Sequence, residues 1–280
     1  MSVPKVTLAL AAVSLLAACS ALRLAYDNAG VYVKYRAGQF LDVKGAQDHE
    51  LAQRIDSFFV WHRASALPAY ARTAEEAAAR IGKGLSRADL VWGYDSFVAH
   101  ARQSLRGAAE RVAPLLDRLT PEQLAYMEKG FAEENRRFAK ENLRGSDGER
   151  RKRRAERVEE RLEDWVGGLS EAQVERVRLY SQRAPLVDEL RQRDHRRLQA
   201  RVLDMARARR AQRELPALAG SWPAGREAAY AKASEAAREE YYALLLDLDR
   251  SMTPEQRARA QRTLRRYAAD FVRLSRQTSQ

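Results

Sequence analysis

The chain is poor in the residues that several common protein classes require. Cysteine occurs once, at Cys19, and the 280 residues include only 14 glycines and 8 prolines. One cysteine leaves no thiol pair for a disulfide framework or a cysteine metal cluster. Runs of alternating β-branched residues are absent, and no apolar run approaches the roughly 20 residues of a membrane-crossing helix. Because alanine, leucine, arginine and glutamate are abundant, the sequence predicts an all-α fold.

Motifs that mark common catalytic and metal sites are also missing. The sequence contains no HExxH, GxSxG, P-loop or GxGxxG pattern. Its four histidines are scattered without paired spacing, at His49, His62, His100 and His195. We therefore expect no metal site, no cofactor and no enzymatic activity. His62, which follows Trp61, is expected to be a packed, hydrogen-bonded residue near a helix kink.

The amino-terminal residues have the order of a secretory signal. Lys5 and the amino terminus supply positive charge, residues 6–18 are apolar, and Leu16-Ala17-Ala18-Cys19 ends the run. This ending resembles the lipobox at which bacterial lipoprotein precursors are diacylated on the cysteine and then cleaved. The resemblance implies a signal peptide over residues 1–18 and a lipid on Cys19. Two alternatives remain, an ordinary cleaved signal peptide with Cys19 as a bystander and an uncleaved buried helix.

A lipid on Cys19 would decide where the mature chain works. It would tether residues 19–280, expected as a single all-α periplasmic domain, to a membrane. Ser20 follows the modified position, and a residue other than aspartate there resembles the outer-membrane sorting pattern of enterobacterial lipoproteins. The expected location is the inner leaflet of the outer membrane, facing the periplasm.

The chain is strongly basic, with a formal net charge of +12 at pH 7, and all but eight of its fifty basic residues are arginines. The planar guanidinium suits carboxylates and phosphates better than an ammonium does. Expected partners of an envelope protein are anionic lipids, wall polymers and acidic envelope proteins, and nucleic acid is not expected. The alternative is a solvated helical surface of Glu/Arg pairs. The candidate anion-binding residues are Arg150, Arg151, Lys152, Arg153, Arg154, Arg196, Arg197 and Arg201.

Each basic group also has a structural interpretation. Residues 150–154 place basic side chains at a helix start, where the helix dipole disfavours them. They either face an external anion or pair with nearby acidic side chains, which are Glu149, Glu156, Glu159 and Glu160. Residues 183–213 carry net positive charge and residues 226–249 net negative charge. These two segments either form a neutralising antiparallel pair or leave an arginine face open to lipid phosphates.

Apolar spacing predicts about eight helices in an elongated or antiparallel arrangement. Pro68 is expected to kink or break the first long helix. Pro185 is expected to bend a helix over residues 170–213, which a loop over residues 215–225 follows. The clearest turn, at residues 144–148, is a candidate division of the domain.

Three predicted helix starts share one pattern, a hydroxyl side chain at the N-cap and a glutamine three residues later. The pairs are Thr120 with Gln123, Ser170 with Gln173, and Thr253 with Gln256. In such a capping box the hydroxyl accepts from the third helical N–H, while the glutamine accepts from the N–H of the N-cap residue. Residues 85–89 form a weaker fourth copy.

These starts resemble the LTxxQ motif of the Spy/CpxP periplasmic proteins, which are helical, non-enzymatic chaperones or stress sensors. The carriers are the LTPEQ, LSEAQ and MTPEQ segments at residues 119–123, 169–173 and 252–256. The alternative is that these segments only cap helices. The chain lacks an LTxxQ-type start before Glu50 and the histidine- and methionine-rich tail of metal-linked relatives.

A broader resemblance is to the DUF6279 lipoproteins of proteobacteria. It is carried by the lipobox, LRLAYDNA at residues 22–29, WHR at residues 61–63, LPAY at residues 67–70, and the LTPEQ segment. The resemblance implies an envelope location and an all-α fold, and it implies no particular activity.

Two functions are expected on these grounds. The first is a chaperone-like or envelope-stress role, in which arginines surround an exposed apolar groove on a concave helical surface. The second is a structural adaptor whose arginine-rich helices bind lipopolysaccharide or another envelope polyanion.

Near the tether, four aromatic residues form either an interfacial patch beside the lipid or the inner face of the first helix. They are Tyr26, Tyr32, Tyr35 and Phe40.

Overall fold

The computed structural model describes residues 22–277. These residues are helical apart from short connections and contain no β-strand, so the predicted all-α fold is confirmed. No helix in this range combines the length and apolar composition needed to cross a bilayer. The predicted signal peptide, Cys19 and Ser20 lie outside the described residues.

Eleven α-helices follow one another along the described chain, close to the predicted number of about eight. Residues 22–27 are also helical and lead into the first of them. The helices are α1 (Ala29–Gly38), α2 (Ala46–Trp61), α3 (Leu67–Lys83), α4 (Arg87–Leu116), α5 (Pro121–Asn142), α6 (Asp147–Val166), α7 (Glu171–Arg183), α8 (Asp188–Arg207), α9 (Ala211–Gly220), α10 (Ala228–Ser251) and α11 (Pro254–Ser275).

The backbone between α2 and α3 widens into a π-helical turn over His62–Ala66. There the N–H of Leu67 donates to the carbonyl of His62, five residues earlier. Pro68 has no N–H to offer the carbonyl of Ala64, and its ring would clash with that carbonyl in a regular α-helix. The irregularity predicted at Pro68 therefore takes the form of a π turn just before it, and the helical path continues.

Pro185 ends a helix instead of bending one. Ala184, the residue before it, is extended, with φ −60° and ψ 135°, because the proline ring disfavours helical backbone at the preceding residue. Helix α7 ends at Arg183 and α8 begins at Asp188. The single bent helix expected over residues 170–213 is therefore wrong.

Helix α9 occupies part of the loop expected over residues 215–225, and this expectation is also wrong. The carboxylate of Asp117 caps the helix start by accepting from the N–H of Ala211 at 2.6 Å and that of Gln212 at 3.0 Å. The first N–H groups of a helix have no intrahelical partner, so this carboxylate stabilises the start. Because Asp117 is distant in sequence, the local pattern gives no sign of the cap.

Buried apolar side chains form two clusters. The first includes Leu51, Leu115 and Met127 and draws on α2, α4, α5, α8 and α9. The second includes Leu162 and Val177 and joins α6, α7 and α10. The turn at residues 144–148 lies between α5 of the first cluster and α6 of the second, but α8 and α9 return to the first. Two clusters are thus interleaved along the sequence.

Helices α3 and α11 pack closely along each other. The side chains of α3 that are buried are mostly alanines, spaced by three or four residues, and α11 also buries alanines. Small side chains at this spacing let two helix backbones approach closely over several turns. This pair connects the two halves of the fold, because α3 follows α2 of the first cluster while α11 also contacts α6 of the second.

Candidate functional site

A groove of about 470 Å³ lies where α4, α6 and α10 face one another. Most of its lining side chains are apolar or aromatic, and the aromatic ones are Trp92, Tyr94, Phe97, Trp165, Tyr241 and Tyr242. Pockets of this size and composition are typical of sites that bind small molecules or short chain segments.

Helix α4 supplies the most exposed part of this lining. Its start is fixed by a capping box in which the N–H of Ser86 donates to Asp89 at 2.9 Å. The hydrogen bonds from Ser86 and the guanidinium of Arg80 lower the pKa of Asp89 to about 2. Further along, the helix presents Trp92 and Phe97 to the groove, and Phe97 is 61% exposed. An aromatic side chain left this open is available to an apolar partner.

Arginines border the apolar lining. The guanidinium of Arg80 lies 4.2 Å from the centroid of the Trp92 ring, and that of Arg238 lies 4.4 Å from the centroid of the Tyr94 ring. Arg161 also borders the groove; it is exposed and forms no ion pair with a described carboxylate. Stacked arginines cover aromatic surface while keeping their charge near solvent. Arg80 and Arg238 also form ion pairs with Asp89 and Glu235, so among the described residues the unpaired charge on this rim is that of Arg161.

Polar side chains at the base of the groove are satisfied by other protein groups. Asp249 is buried and accepts from the N–H of Leu85 at 3.0 Å and from Arg257 at 2.7 Å. Gln173 is 2% exposed, and its side-chain amide pairs with that of Gln256. These contacts hold the ends of α4, α7, α10 and α11 together. Residues 22–277 contain no group of three His, Cys, Asp or Glu side chains that could hold a metal ion.

A second polar cluster surrounds His62 at the π turn, in agreement with the prediction that this residue is packed and hydrogen-bonded. Its Nδ1 lies 2.8 Å from the hydroxyl of Tyr26, and its Nε2 lies 3.3 Å from that of Tyr70. The Tyr70 hydroxyl is also 2.6 Å from Oγ of Ser104. Burial lowers the pKa of His62 to about 4 and raises that of Tyr26 to about 12. Both side chains are therefore neutral near pH 7.

This cluster joins the segments that carry the resemblance to the lipoproteins. Tyr26 and Asp27 come from residues 22–29, and they contact His62 and Arg63 of the WHR segment. Asp27 lies 3.6 Å from the guanidinium of Arg63. The helical segment that follows the predicted tether is therefore fastened to the junction of α2 and α3.

Most arginines of the 150–154 cluster donate hydrogen bonds to backbone carbonyls. Arg151 donates to the carbonyl of Ala184 at 3.0 Å, and Arg154 donates to that of Pro185 at 2.8 Å. Both also donate to the carbonyl of Ser181. The last carbonyls of a helix lack intrahelical partners and carry the negative end of the helix dipole. These two guanidinium groups thus cap the carboxyl end of α7, a role that neither sequence interpretation included.

The other members of the cluster differ in exposure. Arg150 pairs with Asp147 at 2.7 Å and Glu189 at 3.1 Å, and its side chain is only 10% exposed. Arg153 donates to the carbonyl of Arg144. Lys152 is the open member, with its side chain 80% exposed and 4.0 Å from Glu156. Of the four glutamates expected to neutralise the cluster, Glu156 is therefore the one in an ion pair with it.

The three candidates on α8 also differ. Arg197 pairs with the buried carboxylate of Asp194 at 2.7 Å. Arg196 and Arg201 are exposed and form no ion pair with any carboxylate in residues 22–277. No ion pair in that range joins residues 183–213 to residues 226–249, and α8 packs mainly on α5. The proposed mutual neutralisation therefore has no ion pairs to support it.

All three glutamine capping boxes are present in the structure, with both hydrogen bonds. Their glutamines also reach beyond their own helices. Gln123 donates to the carbonyl of Asp42 at 2.8 Å and to Gln47 at 2.7 Å. The weaker copy at Ser86 is a complete capping box too. Sequence reasoning missed a fifth box, at Ser146, although its S-x-x-E spacing would have shown it.

The fold and the groove define an all-helical protein with an open, apolar, arginine-bordered site. The chain belongs to DUF6279, a family of unknown function, whose model matches residues 39–219, about two thirds of the sequence. Helices α10 and α11 and the groove wall that α10 supplies lie beyond the matched residues. No curated protein and no solved structure matches the chain.

Proposed function

We propose that this protein is a lipoprotein anchored through Cys19 to the inner leaflet of the outer membrane, where it acts in the periplasm by binding and not by catalysis. The lipobox-like ending of the amino-terminal apolar segment supports the anchor. The binding role rests on the groove, because its open aromatic lining provides contact area for an apolar partner and few polar groups for a reaction.

The partner that fits this groove best is an exposed apolar segment of an incompletely folded envelope protein. Phe97 and its neighbours provide apolar contact area, and Arg161 provides an unpaired charge at the edge for acidic residues that flank such a segment. The resemblance of the LTPEQ-type starts to the Spy/CpxP proteins favours the same chaperone-like or envelope-stress role. The open groove is the observation that carries this proposal.

The test is suppression of aggregation of an unfolding client by residues 20–280, produced without lipid, across a series of salt concentrations. Suppression that persists at high salt indicates apolar contact, because salt screens surface charge beyond about 8 Å at physiological ionic strength. Phe97→Ser should weaken suppression severalfold. Leu179→Ser removes a partly exposed apolar side chain outside the groove and should have no effect. Equal behaviour of the two variants, or no suppression at any salt, would refute the proposal.

A second candidate function is binding of lipopolysaccharide or another envelope polyanion, with the protein as a structural adaptor. It is favoured by Arg196 and Arg201, which are exposed on α8 without an ion pair among the described residues. Arg196→Ser/Arg201→Ser should then weaken binding to lipopolysaccharide vesicles in low salt. Arg87→Ser/Arg106→Ser removes the same charge from arginines that already pair with glutamates, and it serves as the control.

A further inference from the structure

The amino-terminal helical segment turns an apolar stripe outward. Residues 22–27 and α1 form a nearly continuous helix, since the N–H of Asn28 donates to the carbonyl of Leu24 and that of Tyr32 to Asn28. Along it, four apolar or aromatic residues are between 63% and 73% exposed, and we call them the outer stripe: Leu24, Val31, Tyr32 and Tyr35. Their spacing of seven, eight and eleven residues from Leu24 places them on one helical face.

The four charged side chains of the same segment are each linked to the rest of the protein. Each forms an ion pair with a carboxylate or guanidinium of another element. The pairs are Arg23 with Asp270, Asp27 with Arg63, Lys34 with Asp48, and Arg36 with Glu134. A helix on the surface of a soluble protein normally has the reverse arrangement, with apolar residues inward and charges outward. The outer stripe is therefore suited to an apolar environment.

Two of the four aromatic residues near the predicted tether belong to this stripe, and the other two do not. Tyr26 contacts the Phe59 and His62 rings, and Phe40 contacts Phe131. Tyr32 and Tyr35 remain on the outer face. The sequence left open whether these aromatics form the inner face of the helix or a patch beside the lipid. The structure packs Tyr26 and Phe40 against the domain and leaves Tyr32 and Tyr35 exposed.

We propose that the outer stripe lies on the lipid surface beside the anchor and fixes the orientation of the domain on the membrane. Leu22 is three residues after Cys19, so an extended chain would hold it within about 10 Å of the lipid-bearing residue. A helix that begins so close to the anchor lies within reach of the membrane surface. Tyrosine rings beside aliphatic side chains suit the boundary between headgroups and acyl chains. This inference rests on the lipid anchor of the proposed function.

The experiment uses the processed, lipidated full-length protein, reconstituted into vesicles that contain brominated phospholipids. Cys19 is the sole cysteine of the chain, and a lipid on it removes its thiol, so one introduced cysteine can carry a fluorescent label alone. Val31→Cys places the label on the stripe, and Lys152→Cys places it on the exposed surface of α6. Bromine quenches only fluorophores that reach the acyl region, so we expect strong quenching at residue 31 and little at residue 152.

Each outcome has a separate meaning. Thiol labelling of the processed wild-type protein would show that Cys19 carries no lipid, and the anchor and the stripe proposal would fail together. With an unlabelled wild type, equal quenching at residues 31 and 152 would overturn the stripe proposal and leave the anchor intact. Disulfide-linked dimers of Val31→Cys would likewise overturn it, in favour of a second copy of the chain. Adding Tyr32→Ser and Tyr35→Ser should reduce quenching at residue 31, whereas adding Phe97→Ser should not.

Discussion

Gln173 and Gln256 are joined amide to amide, each Nε2 donating to the Oε1 of the other at 3.0 Å. Each Oε1 also accepts from the N-cap N–H of its own helix, at Ser170 and Thr253. The remaining amide hydrogens reach the carbonyls of Ser251 and Gly168. Two helix starts that share a sequence pattern are therefore fastened to each other, and every polar atom of this buried pair is satisfied.

The substitution Gln173→Glu distinguishes the capping role of this side chain from its role in linking two helices. Gln173→Glu keeps a side-chain oxygen that accepts from the Ser170 N–H, but it loses the donor to Gln256 and to the Ser251 carbonyl. We expect the free energy of unfolding to fall by about 2–3 kcal/mol, because a buried acceptor loses its partner. Urea unfolding followed by circular dichroism measures it.

The matched control is Glu149→Gln, the reverse exchange at an exposed capping box. We expect it to leave the free energy of unfolding nearly unchanged, because the side chain is exposed. Equal losses in the two variants would mean that the glutamine pair adds nothing beyond capping.

Removing Arg154 should destabilise the protein through the carboxyl end of α7. Its guanidinium donates to the carbonyls of Pro185 and Ala184 at 2.8 Å each, and burial lowers its pKa below the ordinary value. Arg154→Met takes the guanidinium donor from the partly buried carbonyl of Pro185, whereas the carbonyls of Ser181 and Ala184 keep Arg151. We therefore expect a loss of about 1–3 kcal/mol in the free energy of unfolding. Lys152→Met, two residues away and highly exposed, should change it by less than about 0.5 kcal/mol. If Arg154→Met is as mild as Lys152→Met, the capping role is refuted.

Acidification should destabilise the fold partly through His62. Its pKa is about 4 in the folded protein, against an ordinary value of 6.5. Between these values the unfolded chain binds a proton that the folded protein does not, so stability falls as the pH falls from about 6.5 towards 4. His62→Gln keeps hydrogen-bonding groups and removes the titration.

The urea midpoint at about pH 7 and about pH 5 measures this linkage in both proteins. The variant should lose less stability between the two pH values than the wild type does. His100 and His195, whose pKa values burial also lowers, contribute equally to both proteins and cancel in the comparison. Identical pH slopes would contradict the role of His62.

Two glycines on α4 should respond in opposite directions to the same substitution. A Cβ at Gly107 would lie 2.5 Å from two carbons of the Trp61 ring, whereas a Cβ at Gly93 would meet no atom within 4 Å. Gly107→Ala should therefore lower the free energy of unfolding by about 1–3 kcal/mol through overpacking. Gly93→Ala should raise it by about 0.5–1 kcal/mol, because alanine favours a helix over glycine. Thermal unfolding of both variants tests the packing of α4 on α2.

The sequence by itself determined the helical class and several of the sites of helix initiation. A capping box joins residues only three positions apart, so Thr120 with Gln123 and its relatives could be recognised without knowing what surrounds them. Pro68 likewise indicated an irregular backbone, because a proline lacks the N–H that the preceding turn of a regular helix requires. Such contacts are fixed by chain connectivity.

The tertiary structure alone decided where the long polar side chains go and which apolar faces stay open. A guanidinium reaches several ångströms and takes whichever acceptor the fold brings near, so the sequence around Arg154 could not reveal the carbonyls at the end of α7. Asp117 caps α9 from a distant position for the same reason. The groove at Phe97 and the stripe at Tyr32 are open because no other described helix packs over them, and that depends on the arrangement of the whole chain.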